Sequence, residues 1–285
     1  MNKVAVIGSN GYIGSALIAH LESKRFEFFK FSKNNDIFVN ENLNSKLLEA
    51  DDIIWCASHV NPISAELQNN LVHLELYEWK KFLQAFSKQF CSAQRIIFLS
   101  SGGCSYTSRI QPYTEKDEAL GTNHYGKLKI EMENELKARG LPHVILRLSN
   151  LYGPNQPTGR GQGVIAEWLA SIKIRNPIKI YGDLTNYRDY IHLNDVCSGI
   201  ESILSKTDIN GIFNLGSGEA ITLKQILDLI SENTDEVVKM KMYNSRTSDR
   251  PGYFLNITKL TKATGWKPII SIQTGISLLF SRKSL

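Results

Sequence analysis

The pattern of hydrophobic and polar residues begins with a short apolar run at residues 3–7, a glycine-rich turn, and an apolar-periodic segment that reaches about residue 23. This order predicts a strand, a tight turn and a helix. The turn carries Gly8, Gly11 and Gly14, which let the backbone turn sharply and approach a pyrophosphate at the start of the helix. The pattern favours a dinucleotide-binding loop, and a plain strand–helix turn is the alternative.

Further apolar runs predict strands over residues 26–31, 51–58, 95–99 and 143–148. Apolar residues at helical spacing predict helices over 70–90 and 125–138, and Gly140 and Pro142 close the second of these. The stretch 34–50 is short and polar for a complete strand–helix unit. We therefore expect this part of the sheet to be abbreviated.

Composition adds limits on the partners of this chain. It has 285 residues, of which 42% are hydrophobic and 21% charged, and a net charge of +5 without a dense block of Lys or Arg. No apolar run approaches the roughly 20 residues of a membrane helix, and the apolar start is too short for a signal peptide. The cysteines are widely spaced, without a CxxC pair or a His cluster. We expect a soluble, cytoplasmic protein with reduced thiols and anionic small-molecule ligands, and no metal site, nucleic acid or membrane partner.

Tyr125 and Lys129 are four residues apart, so on a helix they project from one face. A lysine ammonium beside a tyrosine hydroxyl favours the phenolate and lowers the tyrosine pKa from about 10. Tyr125 then serves as a proton donor or acceptor near neutral pH. The alternative is a surface pair on an amphipathic helix, which the glycine turn in the same chain disfavours.

The end of the second predicted strand bears on cofactor choice. An acidic group there takes the adenosine ribose hydroxyls in NAD-binding folds, but this chain has Ser32 and Lys33, and its next carboxylate is Asp36. A hydroxyl and an ammonium attract a 2′-phosphate. We therefore favour NADP over NAD, and the alternative is that both residues only begin a polar loop. Ala57 and Ser58 are small, which lets a cofactor lie across the end of the 51–58 strand.

Several further motifs follow in a recognisable order. They lie at residues 8–14 (GxxGxxG), 52–58, 100–106, 125–129 (YGKxK), 147–154 (RxxNxYGP), 182–196 (with RDYIH), 213–218, 250–252 (RPG) and 265–268. By these motifs, nearly from end to end, the chain resembles the extended short-chain dehydrogenase/reductases of the nucleotide-sugar epimerase/dehydratase family.

The resemblance implies hydride transfer between a nicotinamide and a sugar carbon. Tyr125 would be the acid/base, and Lys129 would hold the nicotinamide ribose and lower the tyrosine pKa. The serine or threonine that the family uses as a third catalytic group aligns with Gly102. Ser101 is our candidate for that role; alternatively, Ser100 and Ser101 only line the cofactor, and the site works with two groups or with a donor from elsewhere.

The resemblance also assigns the binding residues. Those for the cofactor are Gly8, Asn10, Gly11, Tyr12, Ile13, Gly14, Ser32, Lys33, Ala57, Ser58, Ser100, Tyr125 and Lys129. Those for a nucleoside-diphosphate sugar are Asn150, Val164, Arg188 and Arg250, the arginines clamping the diphosphate through their planar forks; both arginines are surface charges in the alternative reading. Asp189, His192 and Asp195 are expected to be structural, and Tyr253 replaces an acidic residue of the family.

For the fold, the resemblance implies an α/β protein: a Rossmann-type, doubly wound parallel sheet with a smaller C-terminal substrate-binding lobe. Residues 1–150 would form the NAD(P)-binding domain, joined by 184–209, and 151–285 would form the interdigitated lobe, built from 151–183, 210–220 and 237–285. A homodimer through the helices at 70–90 and 125–138 is expected.

The expected function is that of an NAD(P)-dependent enzyme acting at C4 of a nucleoside-diphosphate hexose, in polysaccharide or deoxysugar synthesis. It is a 4-epimerase, which recycles its cofactor, or a 4-ketoreductase, which consumes it. The serine-rich turn lacks the acidic pair of a 4,6-dehydratase. Two alternatives remain: a non-catalytic, NAD(P)-binding regulatory protein of the same fold, and a reductase of non-sugar carbonyls.

Overall fold

The secondary structure follows the predicted alternation of strands and helices. The computed structural model describes residues 2–32, 37–91, 93–107, 111–245 and 252–281. Its strands are β1 (Lys3–Ile7), β2 (Glu27–Phe31), β3 (Phe38–Val39), β4 (Asn42–Leu43), β5 (Asp52–Trp55), β6 (Arg95–Ser101), β7 (His143–Leu148), β8 (Asn150–Tyr152), β9 (Ile178–Tyr181), β10 (Tyr187–Arg188), β11 (Tyr190–His192), β12 (Gly211–Leu215), β13 (Ile221–Thr222) and β14 (Met240–Tyr243). Its helices are α1 (Tyr12–Ser23), α2 (Ser45–Leu48), α3 (Ser64–Leu67), α4 (Asn69–Gln89), α5 (Gly102–Ser105), α6 (His124–Ala138), α7 (Val164–Lys173), α8 (Leu193–Leu204), α9 (Leu223–Glu232), α10 (Thr258–Thr264) and α11 (Ile272–Ser281).

Six parallel strands form the main sheet, in the order β12-β7-β6-β5-β1-β2. The order reverses beside β1, because β2 is added on one side of it and the later strands on the other. Ligands of such sheets bind at this point, outside the carboxyl ends of the strands. The predicted Rossmann-type, doubly wound sheet is confirmed.

Helices cover both faces of this sheet, because successive residues of a strand point to opposite sides. From β1, Val6 packs into the core under α1 and α8, where it shares a cluster with Ile200. The next residue, Ile7, joins the opposite core under α4 and α6, which contains Trp79. Burying each such side chain contributes about 1.5–3 kcal/mol, so the sheet is fixed from both faces.

A second, smaller core lies in the C-terminal half. It contains Trp168 of α7, Ile178 of β9, Ile226 of α9 and Ile276 of α11. Short two-stranded pairings, β9 with β14, β8 with β11 and β10 with β13, frame it. This core and the strands that frame it form a second lobe.

The residues expected to be structural bind backbone where segments of the two lobes meet. Asp189 accepts hydrogen bonds from the N–H groups of Ser217 and Leu255, at 2.7 and 3.2 Å. Asp195 accepts two from the segment just before α11, and His192 Nδ1 accepts one at the start of α8. Each side chain is at most 2% exposed, so all three serve the fold.

The expected extent of the lobe needs a correction. Residues 210–220 were assigned to it, but β12 pairs with β7 and completes the main sheet. Its apolar residues Phe213 and Leu215 pack in the same core as α8, and so do Leu260 and Trp266 from the later chain. The chain therefore returns to the Rossmann domain after residue 209 as well as within 184–209, where α8 packs on α1.

Two local expectations have clear outcomes. The stretch 34–50 was expected to be abbreviated, and its described part contains only the β3–β4 pair and the one-turn helix α2, which leaves β2 as the sheet edge. The strand predicted over 51–58 ends at Trp55. Beyond it the chain turns across the glycine loop, since a Cβ on Gly8 would lie 2.6 Å from the Ala57 nitrogen.

Candidate functional site

The glycine turn between β1 and α1 is shaped for a ligand that approaches the backbone closely. Gly8 has a φ of +88°, and a Cβ on Gly14 would lie 2.1 Å from the Gly8 carbonyl oxygen, so neither position tolerates a side chain. Gly11, the N-cap of α1, provides no side-chain cap. The leading N–H groups of this helix are thus available to an anion, and the turn fits a dinucleotide pyrophosphate.

A cleft of about 1480 Å³ runs from this turn to the second lobe. It collects most of the residues that the sequence assigned to binding and catalysis: Gly8, Asn10, Gly11, Tyr12, Ile13, Ser32, Ala57, Ser58, Ser100, Ser101, Tyr125, Asn150, Val164 and Arg188. Gly14 and Lys129 lie beneath its surface. Lys33 and Arg250 are outside the described residues.

Helix α6 presents Tyr125 to the cleft. The Asn123 side chain caps the helix by accepting a 2.8 Å hydrogen bond from the Gly126 N–H, so Tyr125 lies in the first turn. The Lys129 ammonium, one turn later, is 5.4 Å from the centre of the tyrosine ring. The predicted juxtaposition of these two side chains is therefore present.

The pKa of Tyr125 is not lowered as expected. Burial of the phenol raises the pKa of Tyr125, and the lowering effect of Lys129 is smaller. One reason is that the lysine has a partner of opposite charge: its Nζ lies 2.8 Å from a carboxylate oxygen of Glu75 on α4. The sequence analysis missed Glu75, which is 54 residues from Lys129, and no periodicity pointed to it.

The third catalytic group was expected at Ser101, because its usual position holds Gly102. Ser101 lines the cleft, and its hydroxyl accepts a 3.3 Å hydrogen bond from the Cys104 N–H. A Cβ on Gly102 would instead lie 2.7 Å from a methyl carbon of Leu255, in the interior. The structure therefore brings Ser101, and not position 102, to the cleft.

Ser100 has a different environment from its neighbour. Its hydroxyl donates a 2.6 Å hydrogen bond to the carboxylate of Glu133, which also pairs with Arg147 at 2.7 Å. All three residues are buried. Ser100 reaches the cleft surface but is held by this network, so its side chain is less available to a ligand than that of Ser101.

Asn150, Arg188 and Tyr253 form a polar wall of the same cleft. The guanidinium carbon of Arg188 lies 5.8 Å from the ring centre of Tyr253. The Tyr253 hydroxyl donates a 2.9 Å hydrogen bond to the Asn150 side-chain oxygen, and a Cβ on Gly103 would lie 2.2 Å from that hydroxyl. Tyr253 thus stands between Asn150 and the serine-rich turn, and its position after the RPG motif was the signal for it in the sequence.

A side chamber of about 390 Å³ continues the cleft into the second lobe. Val164 and Arg188 border both spaces, and Trp168 and Leu223 line the chamber. At the opposite end of the cleft, Lys81 of α4 places its ammonium 4.5 Å from the ring centre of Phe38, and both line the cleft, as does Ser32. The sequence contained no signal for Lys81.

Two observations concern the part of the chain that the structure describes. Within that part of the chain, His, Cys, Asp and Glu side chains form no group of three arranged to hold a metal ion. The helices described there are also too short or too polar to cross a membrane.

A glycine turn at the reversal point of a parallel sheet, and a long cleft lined by both the tyrosine of α6 and an arginine, define a dinucleotide-binding α/β protein with room for a second ligand. Residues 4–216 match the model of the NAD dependent epimerase/dehydratase family. The chain belongs to this family. The resemblance expected from the motifs is confirmed.

Individual relatives agree with this assignment. The dTDP-4-dehydro-6-deoxyglucose reductase of Escherichia coli is 28% identical over 98% of this chain and 96% of its own. The UDP-glucose 4-epimerase of Thermus thermophilus, solved with NAD, superposes with a TM-score of 0.82 at 23% identity, covering 99% of this chain and 100% of its own. The UDP-glucose 4-epimerase of Thermotoga maritima, solved with UDP-glucose, gives 0.84 at 23%, covering 98% and 97%. At these identities, the two structures establish the fold.

Proposed function

We propose that this chain is an NAD(P)-dependent enzyme that reduces a 4-keto group of a nucleoside-diphosphate hexose. The observation that carries the proposal is that one cleft joins the glycine turn, the Tyr125 hydroxyl and the Asn150–Arg188 wall. The prediction of an NAD(P)-dependent enzyme agrees with the family, and the E. coli reductase matches along nearly the whole chain. Epimerisation at C4 is the second candidate, because both structural relatives named above are 4-epimerases.

The roles of the residues follow from their positions. A bound nicotinamide supplies the hydride. Tyr125 donates a proton to the C4 oxygen, so the negative charge developing there is quenched within the cleft. Ser101 donates a hydrogen bond to the same oxygen. The Lys129 side chain is 2% exposed, so it does not reach into the cleft. In this proposal it supports, from within the protein, the part of the cleft wall on which the cofactor binds.

The cofactor is NADP in this proposal, with NAD as the alternative. Ser32 and Lys81 line the end of the cleft beyond the glycine turn, and a hydroxyl with an ammonium suits a 2′-phosphate. The Thermus relative was solved with NAD, which supports the alternative. Titration with NADPH and NADH is expected to give tighter binding of NADPH, and Lys81→Ala is expected to reduce that preference. Equal affinities for NADPH and NADH, or tighter binding of NADH, would contradict the choice of NADP.

The substrate is a nucleoside-diphosphate sugar in this proposal. Arg188 carries the positive charge that a diphosphate requires, Asn150 and Tyr253 are placed for the sugar, and the side chamber beside Val164 is placed for the base. The proposal extends to a cytoplasmic homodimer formed through α4 and α6. The cofactor side is mainly residues 1–150 and 184–215 with 257–266, and the lobe is mainly residues 151–183, 221–243 and 272–281. Leu67 of α3, which packs beside both helices, is 77% exposed and offers apolar surface for such a contact.

A single assay separates the candidate functions. Purified protein is incubated with NADPH or NADH and with a panel of nucleoside-diphosphate 4-keto and 4-hydroxy hexoses, and the products are analysed by mass spectrometry. The proposal expects one cofactor oxidised per 4-keto sugar reduced. Interconversion of 4-hydroxy sugars without added cofactor would establish the epimerase instead. Tight cofactor binding without any turnover would favour the non-catalytic alternative.

The remaining alternative, a reductase of non-sugar carbonyls, has its own test. Arg188→Ala is expected to weaken nucleotide-sugar binding, measured by calorimetry, because an arginine fork contributes charge-assisted hydrogen bonds to phosphate. Arg175→Ala, which removes an exposed arginine paired with Glu236, is the matched control. Unchanged affinity in the Arg188 variant would contradict the nucleotide-sugar proposal.

A further inference from the structure

Glu75 is an unusual residue for the interior of a helix that packs on a sheet. It lies in the second turn of α4 and is 2% exposed. Its carboxylate accepts hydrogen bonds from Lys129 Nζ at 2.8 Å and from the Ser58 hydroxyl at 2.9 Å. It also accepts from the backbone N–H groups of His59 and Val60, at 2.8 and 3.3 Å. One carboxylate therefore connects the lysine of α6 to the turn that follows β5.

Both partners of this pair are charged. Burial opposes the charged carboxylate, but Lys129, Ser58 and the His59 N–H together hold the pKa of Glu75 below its ordinary value. The same contact raises the pKa of Lys129 against the effect of its burial. A buried charge without a partner is costly, so the ammonium and the carboxylate require each other.

The pair changes what Lys129 does to Tyr125. An isolated ammonium 5.4 Å from the ring centre would favour the phenolate. With a carboxylate 2.8 Å from the ammonium, the phenol faces a compensated ion pair. Among the described residues, the Cys104 thiol is a further titratable group near Tyr125, and it also disfavours the phenolate. His124 and Glu66 pair at the exposed start of α6.

The protonation state of Tyr125 matters for the direction of the reaction. Reduction of a carbonyl needs a proton donor at the oxygen, which is the neutral phenol. Oxidation of an alcohol needs a proton acceptor, which is the phenolate. A lysine whose charge is compensated thus suits an enzyme that works towards reduction.

We propose that Glu75 is a positioning residue, which holds Lys129 and the 58–60 turn at the wall of the cleft and, by compensating the lysine charge, keeps Tyr125 as the neutral phenol. The part that concerns the direction of reaction rests on the proposed reductase function. The charge compensation itself does not, because it concerns groups of the chain alone.

The test is a pH titration of the cofactor-free protein, labelled with tyrosine carrying ¹³C at the ring carbon bonded to oxygen and observed by NMR. The Tyr125 signal is assigned by its loss in Tyr125→Phe. The wild-type signal is expected to titrate above the ordinary range of tyrosine, because burial raises the pKa of Tyr125. In Glu75→Gln, the uncompensated ammonium is expected to lower the titration midpoint by about 1 pH unit or more. Coincident titrations of the wild type and the variant would overturn the proposal.

Glu78→Gln is the matched control. Glu78 is on the same helix and pairs with the His59 side chain at 2.7 Å, so it touches the same turn without contacting Lys129. Its titration is expected to follow the wild type. If it shifts as Glu75→Gln does, the effect belongs to the turn and not to the lysine charge, and the proposal is overturned.

A variant without the pair covers the case in which Glu75→Gln fails to fold. Glu75→Gln/Lys129→Met removes both charges, which folded proteins tolerate better than the loss of one partner. Since the proposal makes the pair nearly neutral towards Tyr125, the titration is expected to stay within about half a pH unit of the wild type. A rise of about 1 pH unit or more would show that Lys129 acted uncompensated.

No cofactor or sugar enters these titrations. A chain that shows the shift but reduces no nucleotide sugar would therefore retain the Glu75 assignment and lose the proposed function. A chain that reduces the sugar without the shift would do the reverse.

Discussion

Two buried ion pairs lie at opposite ends of the neighbouring strands β5 and β6, and they do different work. At the amino ends, Arg95 bonds Asp52 at 2.8 Å and also donates to the carbonyl groups of Ile203, Lys206 and Ile209, at and after the end of α8. At the carboxyl edge, Glu75 and Lys129 lie beneath the cleft.

The difference between the two pairs is what surrounds them. The Arg95 guanidinium uses its donors on backbone that belongs to the fold. The Glu75 carboxylate uses its lone pairs on the turn that lines the cleft and on the lysine beside Tyr125. In parallel sheets the carboxyl edge is where ligands bind, so a buried pair there affects chemistry, whereas the same kind of pair at the amino edge affects stability.

The largest expected effect is a loss of turnover when Tyr125, beside the Glu75–Lys129 pair, is replaced. Tyr125→Phe removes the proton donor, so turnover is expected to fall by about 10²–10⁴-fold, with the free energy of unfolding changed by no more than about 1 kcal/mol. Steady-state kinetics and urea unfolding measure the two quantities. Tyr243→Phe, on the outer strand β14, is the control; a similar loss of turnover there would remove the special role of Tyr125.

For the Arg95–Asp52 pair at the amino edge, we expect a loss of stability without a loss of turnover. Arg95→Met leaves Asp52 buried without its partner and removes the donor from three carbonyls. The free energy of unfolding in urea is expected to fall by about 3–5 kcal/mol, with turnover per folded molecule unchanged. Arg175→Met, which breaks an exposed pair, is expected to cost no more than about 1 kcal/mol. A loss of turnover in folded Arg95→Met would contradict the conclusion that this pair affects stability and not the chemistry.

The pH dependence of stability tests whether Glu75 is charged in the folded protein. Its pKa is lowered on folding, so its contribution is present above the unfolded value, about 4.3, and is lost as the pH falls through the lower folded value. The difference in unfolding free energy between wild type and Glu75→Gln is expected to be constant from pH 7 to about pH 5 and to shrink below about pH 4. A difference that grows on acidification would show that the folded protein holds Glu75 protonated.

The smallest effect is expected for an exposed pair between the same two helices. Lys80 of α4 lies 3.2 Å from both Glu131 and Glu135 of α6, with its side chain 40% exposed. Because water screens these charges, Lys80→Met is expected to change the free energy of unfolding by about 0–1 kcal/mol. A loss as large as that of Arg95→Met would mean that burial does not decide the strength of ion pairs here.

Much of the cleft was predictable from residues close together in the sequence. The glycine spacing and the Tyr125–Lys129 spacing are local, and a strand–turn–helix or one turn of helix fixes their geometry. The tyrosine pKa was predicted in the wrong direction, because the prediction considered Lys129 alone. Burial of Tyr125 and the presence of Glu75 come from packing α4 against α6.

The sequence by itself determined the elements, the family and the polar residues that face the cleft, because hydrophobic periodicity and turn chemistry act over a few residues. The tertiary structure decided what surrounds those residues. It turned position 102 towards Leu255 and Ser101 towards the cleft, placed β12 in the main sheet, and brought Glu75 to Lys129 across 54 residues. Contacts of this kind depend on how helices and strands pack, and the sheet and its two covering layers fix that packing only once the whole chain has folded.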